Sequence, residues 1–525
     1  MKRLLAALVL SGLALPVWAV GTFVPAPSRF DMVHDDTRGI VYISHGTEVL
    51  RYHVATDTFL SPIVLGGALS GLDISPDNQT LVVGDLTDAV SESWVHLVDL
   101  DSLSHQTATV ATADNSEGNT YVAVYDADGK IYTTSSFNGS GWVQMRRLDP
   151  ATGEWTGLAS VRQNTMLSAS GDGLTIAFAE SNISDGAWGL FDVPTGSIVR
   201  RSGYDDGTSW FNYEIGTDHF GAQFSIPTYA GTMVYDDVYA KIATIGTYAD
   251  AQPIGVAYHP VERIAYFPFA ETSEVRVYDM NTHTQTGAFD FEYAFSHPGN
   301  HAFQEGRTRL SRDGSLLMVS VDGGVRIHQQ YEPLQASFIS ASTTVGQAKD
   351  VTLDGSVGNS GNVAYSLGTA PSHGTVTIAG NVATYTPAAG YSGADSFTYR
   401  VSYGRAVREA TVSMTVDGGE TPVTELTSKV AVTGVSGAAG SSKMYSIVVP
   451  AGARMLNLMT YRGTGNASLY VGRDFQPTTS VHGFKSVRPG NNETVRIFRP
   501  AAGTYYLLVH GETNFSGLSV QARID

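Results

Sequence analysis

Seven short polar turns recur along the first three hundred residues at nearly constant spacing, and this period constrains the fold more than any other feature of the chain. They are His34-Asp35-Asp36-Thr37, Ser75-Pro76-Asp77-Asn78, Asp126-Ala127-Asp128-Gly129, Ser170-Gly171-Asp172-Gly173, Gly216-Thr217-Asp218-His219, His259-Pro260-Val261-Glu262 and Ser311-Arg312-Asp313-Gly314. Their first residues lie 41, 51, 44, 46, 43 and 52 positions apart. Asp and Asn side chains hydrogen-bond their own backbone and Gly adopts positive φ, so such tetrapeptides reverse the chain between strands. Apolar strands follow the turns, as at Gly39 to Ser44, Thr80 to Val83, Leu174 to Phe178, Ile264 to Phe267 and Leu316 to Ser320. A third strand then ends in an apolar-Asp pair, among them Val98-Asp99, Leu148-Asp149, Phe191-Asp192, Tyr235-Asp236 and Tyr278-Asp279, and a further turn leads to a fourth. Seven four-stranded units at this period predict a β-propeller over 23–331, because radial closure leaves few bare sheet edges. An array of β-sandwiches is the alternative, and it would require non-equivalent repeats. The seventh unit runs out near Gln329 after three strands, so the segment Phe23 to Phe30 is expected to complete it.

Composition agrees with an all-β chain. There are 56 glycines, 42% hydrophobic residues and only 16% charged ones, which suits short strands and tight turns rather than long helices. Net charge is −18, and residues 425–525 hold ten basic against five acidic residues, so the remainder carries −23. That acidic bulk excludes nucleic acid as a partner, since phosphates need a cationic face. Lys2 and Arg3, the apolar run Leu4 to Leu15 and the small-residue site Val17 to Ala19 read as a signal peptide over 1–19. The expectation is secretion to the exterior, with the periplasm as the alternative. The run is too short to span a bilayer, and no membrane span is expected elsewhere. With no cysteine, the sheets depend on burial and have no disulfides.

A new composition begins at 332. Residues 332–417 alternate apolar residues with Thr and Ser, as half-buried strands do. Over 336–416, Ala364 to Leu367, Pro371 to Thr377, Ala383 to Pro387 and Gly390 to Val401 resemble a bacterial cadherin-like or Ig-like repeat. Members of that family often bind calcium through an Asp-rich loop. Here the matching stretch, Gly358 to Asn362, has no carboxylate, and Ca²⁺ needs charged oxygens. What remains is a weak residual calcium site near Asp354 and Asp395, and no other cofactor is predicted. Residues 418–424 read as a linker. From 425 to 525 the segments Tyr445 to Gly452, Gly463 to Val471, Gly490 to Glu493, Pro500 to Tyr506 and His510-Gly511 resemble the bacterial pre-peptidase C-terminal (PPC) domain. That resemblance implies an export-associated module that usually trails secreted hydrolases. The family's usual Cys pair is missing, with Phe484 to Val487 and Thr494-Val495 in its place. The propeller turns are similar to those of YVTN-type bacterial propellers, which implies architecture and not activity.

The chain has no His-Glu-x-x-His, Gly-x-Ser-x-Gly, P-loop or dinucleotide motif. The long polar loops on one propeller face are the candidate binding surface. They hold Asp85, Asp88 and Trp94; Asn138 and Trp142; Asn182, Asp185 and Trp188; Asp205, Asp206 and Trp210; and His297, His301, Glu305 and Arg307. Trp faces stack on sugars or apolar groups, while carboxylates and amides fix hydroxyls. The plainer readings are that Trp94, Trp142 and Trp188 pack between blades and that the Asp-rich loops are solvated turns. His297, His301 and Glu305 have helical ligand spacing, but in a Pro-Gly loop that spacing has no geometric meaning. The expected function is a non-catalytic binding protein for an extracellular protein or carbohydrate. The alternative is a secreted hydrolase or lyase acting on glycans or lactones at the propeller mouth.

Overall fold

The computed structural model describes residues 20–525 except 89, 114–115, 182–185, 202–210, 248–250, 298–301, 304 and 419–421. The proposed signal segment therefore lies outside the described residues. Seven four-stranded antiparallel sheets follow one another around a ring. Six are made of consecutive strands, from Arg29–Asp35 at the inner edge of blade 1 to Thr284–Asp290 at the outer edge of blade 6. Blade 7 takes Thr308–Leu310, Leu316–Val321 and Gly324–Gln329 from one end of the propeller segment and Thr22–Pro25 from the other. Thr22 pairs with Ile327 and Pro25 with Gly324.

The turns repeat at atomic detail. Ser75 Oγ donates to Asp77 (2.5 Å), Ser170 Oγ to Asp172 (2.6 Å) and Ser311 Oγ to Asp313 (2.7 Å). Each serine Oγ then accepts the backbone N–H that opens the next strand, from Thr80, Thr175 and Leu316. The last turn position has positive φ at Asn78 (58°), Gly129 (80°), Gly173 (73°) and Gly314 (74°), the geometry that Gly and Asn tolerate best. Apolar side chains from the first three strands of each blade pack against neighbouring blades. One such cluster joins Val122, Met145, Phe178, Phe191 and Phe224. Each fully buried residue of this size contributes roughly 1.5–3 kcal/mol.

Two sandwiches follow. In the first, a four-stranded sheet centred on Gly393–Tyr403 and Ala406–Asp417 faces a three-stranded sheet around a core that includes Tyr385, Phe397, Tyr399 and Met414. In the second, a five-stranded and a four-stranded sheet enclose Leu456, Leu469, Leu507 and Leu518. The strand Val423–Glu425 already belongs to that five-stranded sheet, so β-branched Val423 and Thr424 leave the stretch read as a linker over 418–424 and pair with Ser442–Val449. Where a Cys pair is missing, Ser486 Oγ and the Arg488 N–H both donate to the buried Glu493 carboxylate. Apart from one 3-10 turn, Val54–Thr56, the described residues form no helix, and none is long and apolar enough to cross a membrane.

The Ig-like module is seated on the propeller face that carries the Asp turns. Tyr331 donates its hydroxyl to the Asp313 carbonyl (2.8 Å) and accepts from His259 Nε2 (2.7 Å). His259 Nδ1 in turn accepts the N–H groups of Val261 and Glu262. Burial holds this imidazole neutral, lowering its pKa to about 4 against the opposing pull of Glu262 and Asp313. Glu262 accepts from Tyr403 and Asn359, both at 2.8 Å, and the Leu334 N–H donates to Asp313. The tip of the Tyr403–Ala406 hairpin brings Arg405 Nη2 to the Asp126 carbonyl (3.4 Å) at the bottom of the central channel.

Candidate functional site

The inner strands run from the face with the blade-linking segments to the face with the Asp turns, so residues early in each strand sit near the first mouth of the channel. There Phe30, Tyr121 and Phe303 form an aromatic trio with ring centres 5.5–5.8 Å apart. The Arg307 guanidinium lies 4.2 Å from the Phe303 ring centre. It donates to both oxygens of Asp31 (2.9 and 3.1 Å) and, on its other side, to Glu214. Arg309, two residues on and therefore on the same strand face, donates to Asp31 at 2.9 Å. Burial alone would raise the Asp31 carboxyl, but the two guanidiniums outweigh it and hold it well below the usual carboxylate range. Burial dominates at Glu214, where the Arg307 and Arg309 charges and the Val256 N–H oppose it but leave the carboxyl pushed up to about 6. The mouth is thus lined by an aromatic layer over an ion-pair layer, and both carboxylates are matched to guanidiniums.

Among the described residues singled out from sequence, only Arg307 enters the channel. Its partners Asp31, Glu214 and Arg309 were missed. Asp31 and Arg309 stand beside apolar residues in their inner strands, and Glu214 just precedes one. Asp85 and Trp94 meet in blade 2, where the Asp85 carboxylate accepts from Ala68 N (2.9 Å), Thr87 N (2.8 Å), Trp94 Nε1 (3.3 Å) and His96 Nε2 (3.2 Å). Burial opposes its ionisation, but these donors outweigh it and keep the pKa well below the usual range. This Asp therefore organises its loop. Asp88 is exposed nearby.

Asn138 and Trp142 flank one loop of blade 3. The Trp142 ring is 45% exposed, with the Arg162 guanidinium 5.6 Å from its centre. Arg162 also donates to Ser140 Oγ (2.7 Å). Trp188 is buried and joins blades 4 and 5, stacked 4.9 Å from Tyr239 and close to Tyr235 and Phe224. His297 is exposed and hydrogen-bonds Gln252 Oε1 (2.9 Å), while Glu305 accepts the Ser296 N–H (2.6 Å). Asn182, Asp185, Asp205, Asp206, Trp210 and His301 lie outside the described residues. Among the described residues no three His, Cys, Asp or Glu side chains are grouped to hold a metal ion. Near the suggested calcium position, both Asp395 oxygens accept from Ser372 N, His373 N, Ser396 N and Tyr385 OH at 2.9–3.1 Å. The Asp354 side chain is exposed, and its carbonyl accepts the Tyr399 hydroxyl.

Fold and site together define a seven-bladed propeller carrying an Ig-like and a PPC sandwich. The family model described as bacterial Ig domain matches residues 332–416, and that described as bacterial pre-peptidase C-terminal domain matches 441–511. The chain is 38% identical over 101 residues to the alkaline serine exoprotease A of Vibrio alginolyticus, covering 19% of each chain. It is 36% identical over 97 residues to an extracellular protease of Xanthomonas campestris pv. campestris, covering 18% of this chain and 17% of that one. The chain thus spans about a fifth of the length of these relatives. Among solved structures, Kuenenia stuttgartiensis hydrazine synthase matches at TM-score 0.44 and 13% identity, over 59% of this chain and 97% of that one. The β-propeller domain of Myceliophteria thermophila Cps50 (Swd1) matches at 0.43 and 11%, over 59% and 98%.

Proposed function

We propose that this is a secreted, non-catalytic binding protein whose loop face, opposite the Ig-like module, recognises an extracellular carbohydrate or protein. The observation that supports this most is the state of the channel. One mouth is layered with Phe30, Tyr121, Phe303 and matched ion pairs, and the Ig-like hairpin leans over the other. Recognition then falls to the rim loops, where Trp142 presents a large aromatic surface beside Arg162 and Asn138. Aromatic faces of this kind stack on sugar rings, and neighbouring amides and guanidiniums bond hydroxyls. The Ig-like module serves as a spacer and the PPC module as an export-associated appendage. The competing reading, a hydrolase or lyase of glycans or lactones, draws on the protease relatives, whose likeness covers 101 residues or fewer.

The test is a glycan array probed with the purified protein, with and without EDTA, beside Trp142→Ala. Binding that resists EDTA and falls at least tenfold in the variant, with its melting temperature unchanged, is the expected result. Turnover of an arrayed glycan or of a lactone panel, or binding indifferent to Trp142, would sink this reading.

A further inference from the structure

Below the ion-pair layer the channel widens into a cavity of about 160 Å³ whose lining includes Arg309, Arg312, Arg405, Asp73 and Ser168. Four guanidiniums, those of Arg307, Arg309 and Arg312 from blade 7 and one from the Ig-like hairpin, face one small space with the Asp73 and Glu214 carboxylates. Their counter-charges are unequal. Arg309 is paired with Asp31. Arg312 directs four hydrogen bonds to neutral acceptors, the carbonyls of Ile74 (2.6 Å), Ser75 (2.8 Å) and Pro76 (3.2 Å) and Asn78 Oδ1 (2.7 Å). Arg405 donates to the Asp126 carbonyl.

Asp73, Asp126 and Asp172 attract the Arg405 guanidinium through space, but their hydrogen bonds come from other groups. Asp73 accepts from Ile74 N and Tyr125 N, Asp126 from Asp128 N and Lys130 N, and Asp172 from Ser170 Oγ and Leu174 N. Burying a guanidinium without a counter-charge hydrogen-bonded to it is unfavourable, and an oxyanion is the group that corrects it. Guanidiniums also suit such ligands geometrically, through paired N–H donors.

We infer that this cavity binds a compact oxyanion, a sulfate, phosphate or carboxylate group, and that the Ig-like module completes the site by supplying Arg405. Burial and the neighbouring Arg312 charge depress the Arg405 pKa against the pull of Asp73, Asp126 and Asp172, a tension that a bound anion would relieve. The ligand is either a free ion or the acidic group of a small sugar, because the cavity is too small for more. This site is on the face opposite the rim loops, so it stands or falls independently of carbohydrate recognition there.

The experiment is calorimetric titration of the full chain with sodium sulfate and, in a separate arm, glucose 6-sulfate, both at constant ionic strength set by chloride. Wild type, Arg405→Ala, Arg405→Lys and the surface control Arg400→Ala are compared. Wild type and Arg400→Ala are expected to bind equally, Arg405→Lys more weakly, and Arg405→Ala at least tenfold more weakly than wild type. General salting-out by sulfate acts on all four proteins alike, so it cannot imitate this pattern. Tighter binding of the sugar sulfate than of free sulfate would identify the group as part of a larger ligand, and equal binding the free ion. Tryptophan fluorescence, which comes only from the propeller segment once the signal is removed, and protease resistance of the Ig-like module show whether Arg405→Ala stays folded and docked. Unchanged affinity in a docked Arg405→Ala protein, or no sulfate binding by wild type, overturns the assignment. If Arg405→Ala undocks, Arg405→Lys decides, and unweakened binding in it likewise overturns the assignment.

Discussion

Replacing Arg307 by Met tests the ion-pair layer directly. Met keeps the aliphatic stem against Phe303 but removes the guanidinium hydrogen-bonded to Glu214. Asp31 keeps Arg309 and stays ionised, whereas Glu214 is left fully buried with one N–H donor, from Val256. Removing one partner of a buried pair typically costs about 3–5 kcal/mol, because the other charge stays buried. For a propeller of this length, that corresponds to a fall in melting temperature of roughly 5–8 °C. Proton uptake by Glu214 should then relieve the loss. The deficit is expected to shrink as pH is lowered from 7.5 to 5.5, and Arg307→Met combined with Glu214→Gln should recover about 2 kcal/mol of it.

In the wild type the same carboxyl works in the same direction. Its folded pKa, about 6, lies above the ordinary 4.5, so the folded protein binds this proton more tightly. Its contribution is therefore complete below about pH 4.5 and is lost as pH rises through 6. The assay is guanidinium unfolding followed by tryptophan fluorescence. Every tryptophan lies at or before position 210, so the signal excludes both sandwiches. A loss under 1 kcal/mol, or one indifferent to both pH and Glu214→Gln, would refute the reasoning.

Three further outcomes are expected. His259 has a folded pKa near 4 against an ordinary 6.5, so its contribution is present above pH 6.5 and declines as pH falls towards 4, by about 3 kcal/mol in all. Small-angle scattering and limited proteolysis near residue 332 should therefore report undocking of the Ig-like module in that window, and docking unchanged at pH 4 would contradict this. Asp85→Ala removes the acceptor for two backbone N–H groups, Trp94 and His96, and should cost about 2–3 kcal/mol in propeller unfolding. Asp395→Ala should destabilise the Ig-like module by a similar amount, since four donors lose their acceptor, while millimolar calcium or EDTA leaves its melting unmoved in wild type.

Much of the fold was legible because its signals are local. The Ser75–Asp77, Ser170–Asp172 and Ser311–Asp313 turns each form within six residues, so the same side-chain bond leaves the same trace each time. The channel was largely hidden for the opposite reason. Asp31 and Arg307 are 276 positions apart, and nothing adjacent to either indicates the other. Arg405 in a Tyr-Gly-Arg hairpin looks like a solvated turn, and only the seating of one domain on another brings it to the channel. The recurrence of Trp94, Trp142 and Trp188 conceals three different environments, a loop held by Asp85, an exposed rim and a contact between blades. Repeat position says where a side chain starts, and the neighbouring blade determines what it touches.

The strand Thr22–Pro25, which completes blade 7, also bears on the order of assembly. A chain delivered from its N-terminus presents this segment first, yet its partner Gly324–Gln329 arrives only after six blades have emerged. Bringing such distant ends together costs on the order of 5 kcal/mol in chain entropy, and that cost falls on a single late step. Until then the first and last blades each have only one neighbour and the ring stays open. Whatever holds residue 22 back, a leader still attached or a carrier, would keep the barrel of blades unlocked during transit, and its release would be the event that sets the fold.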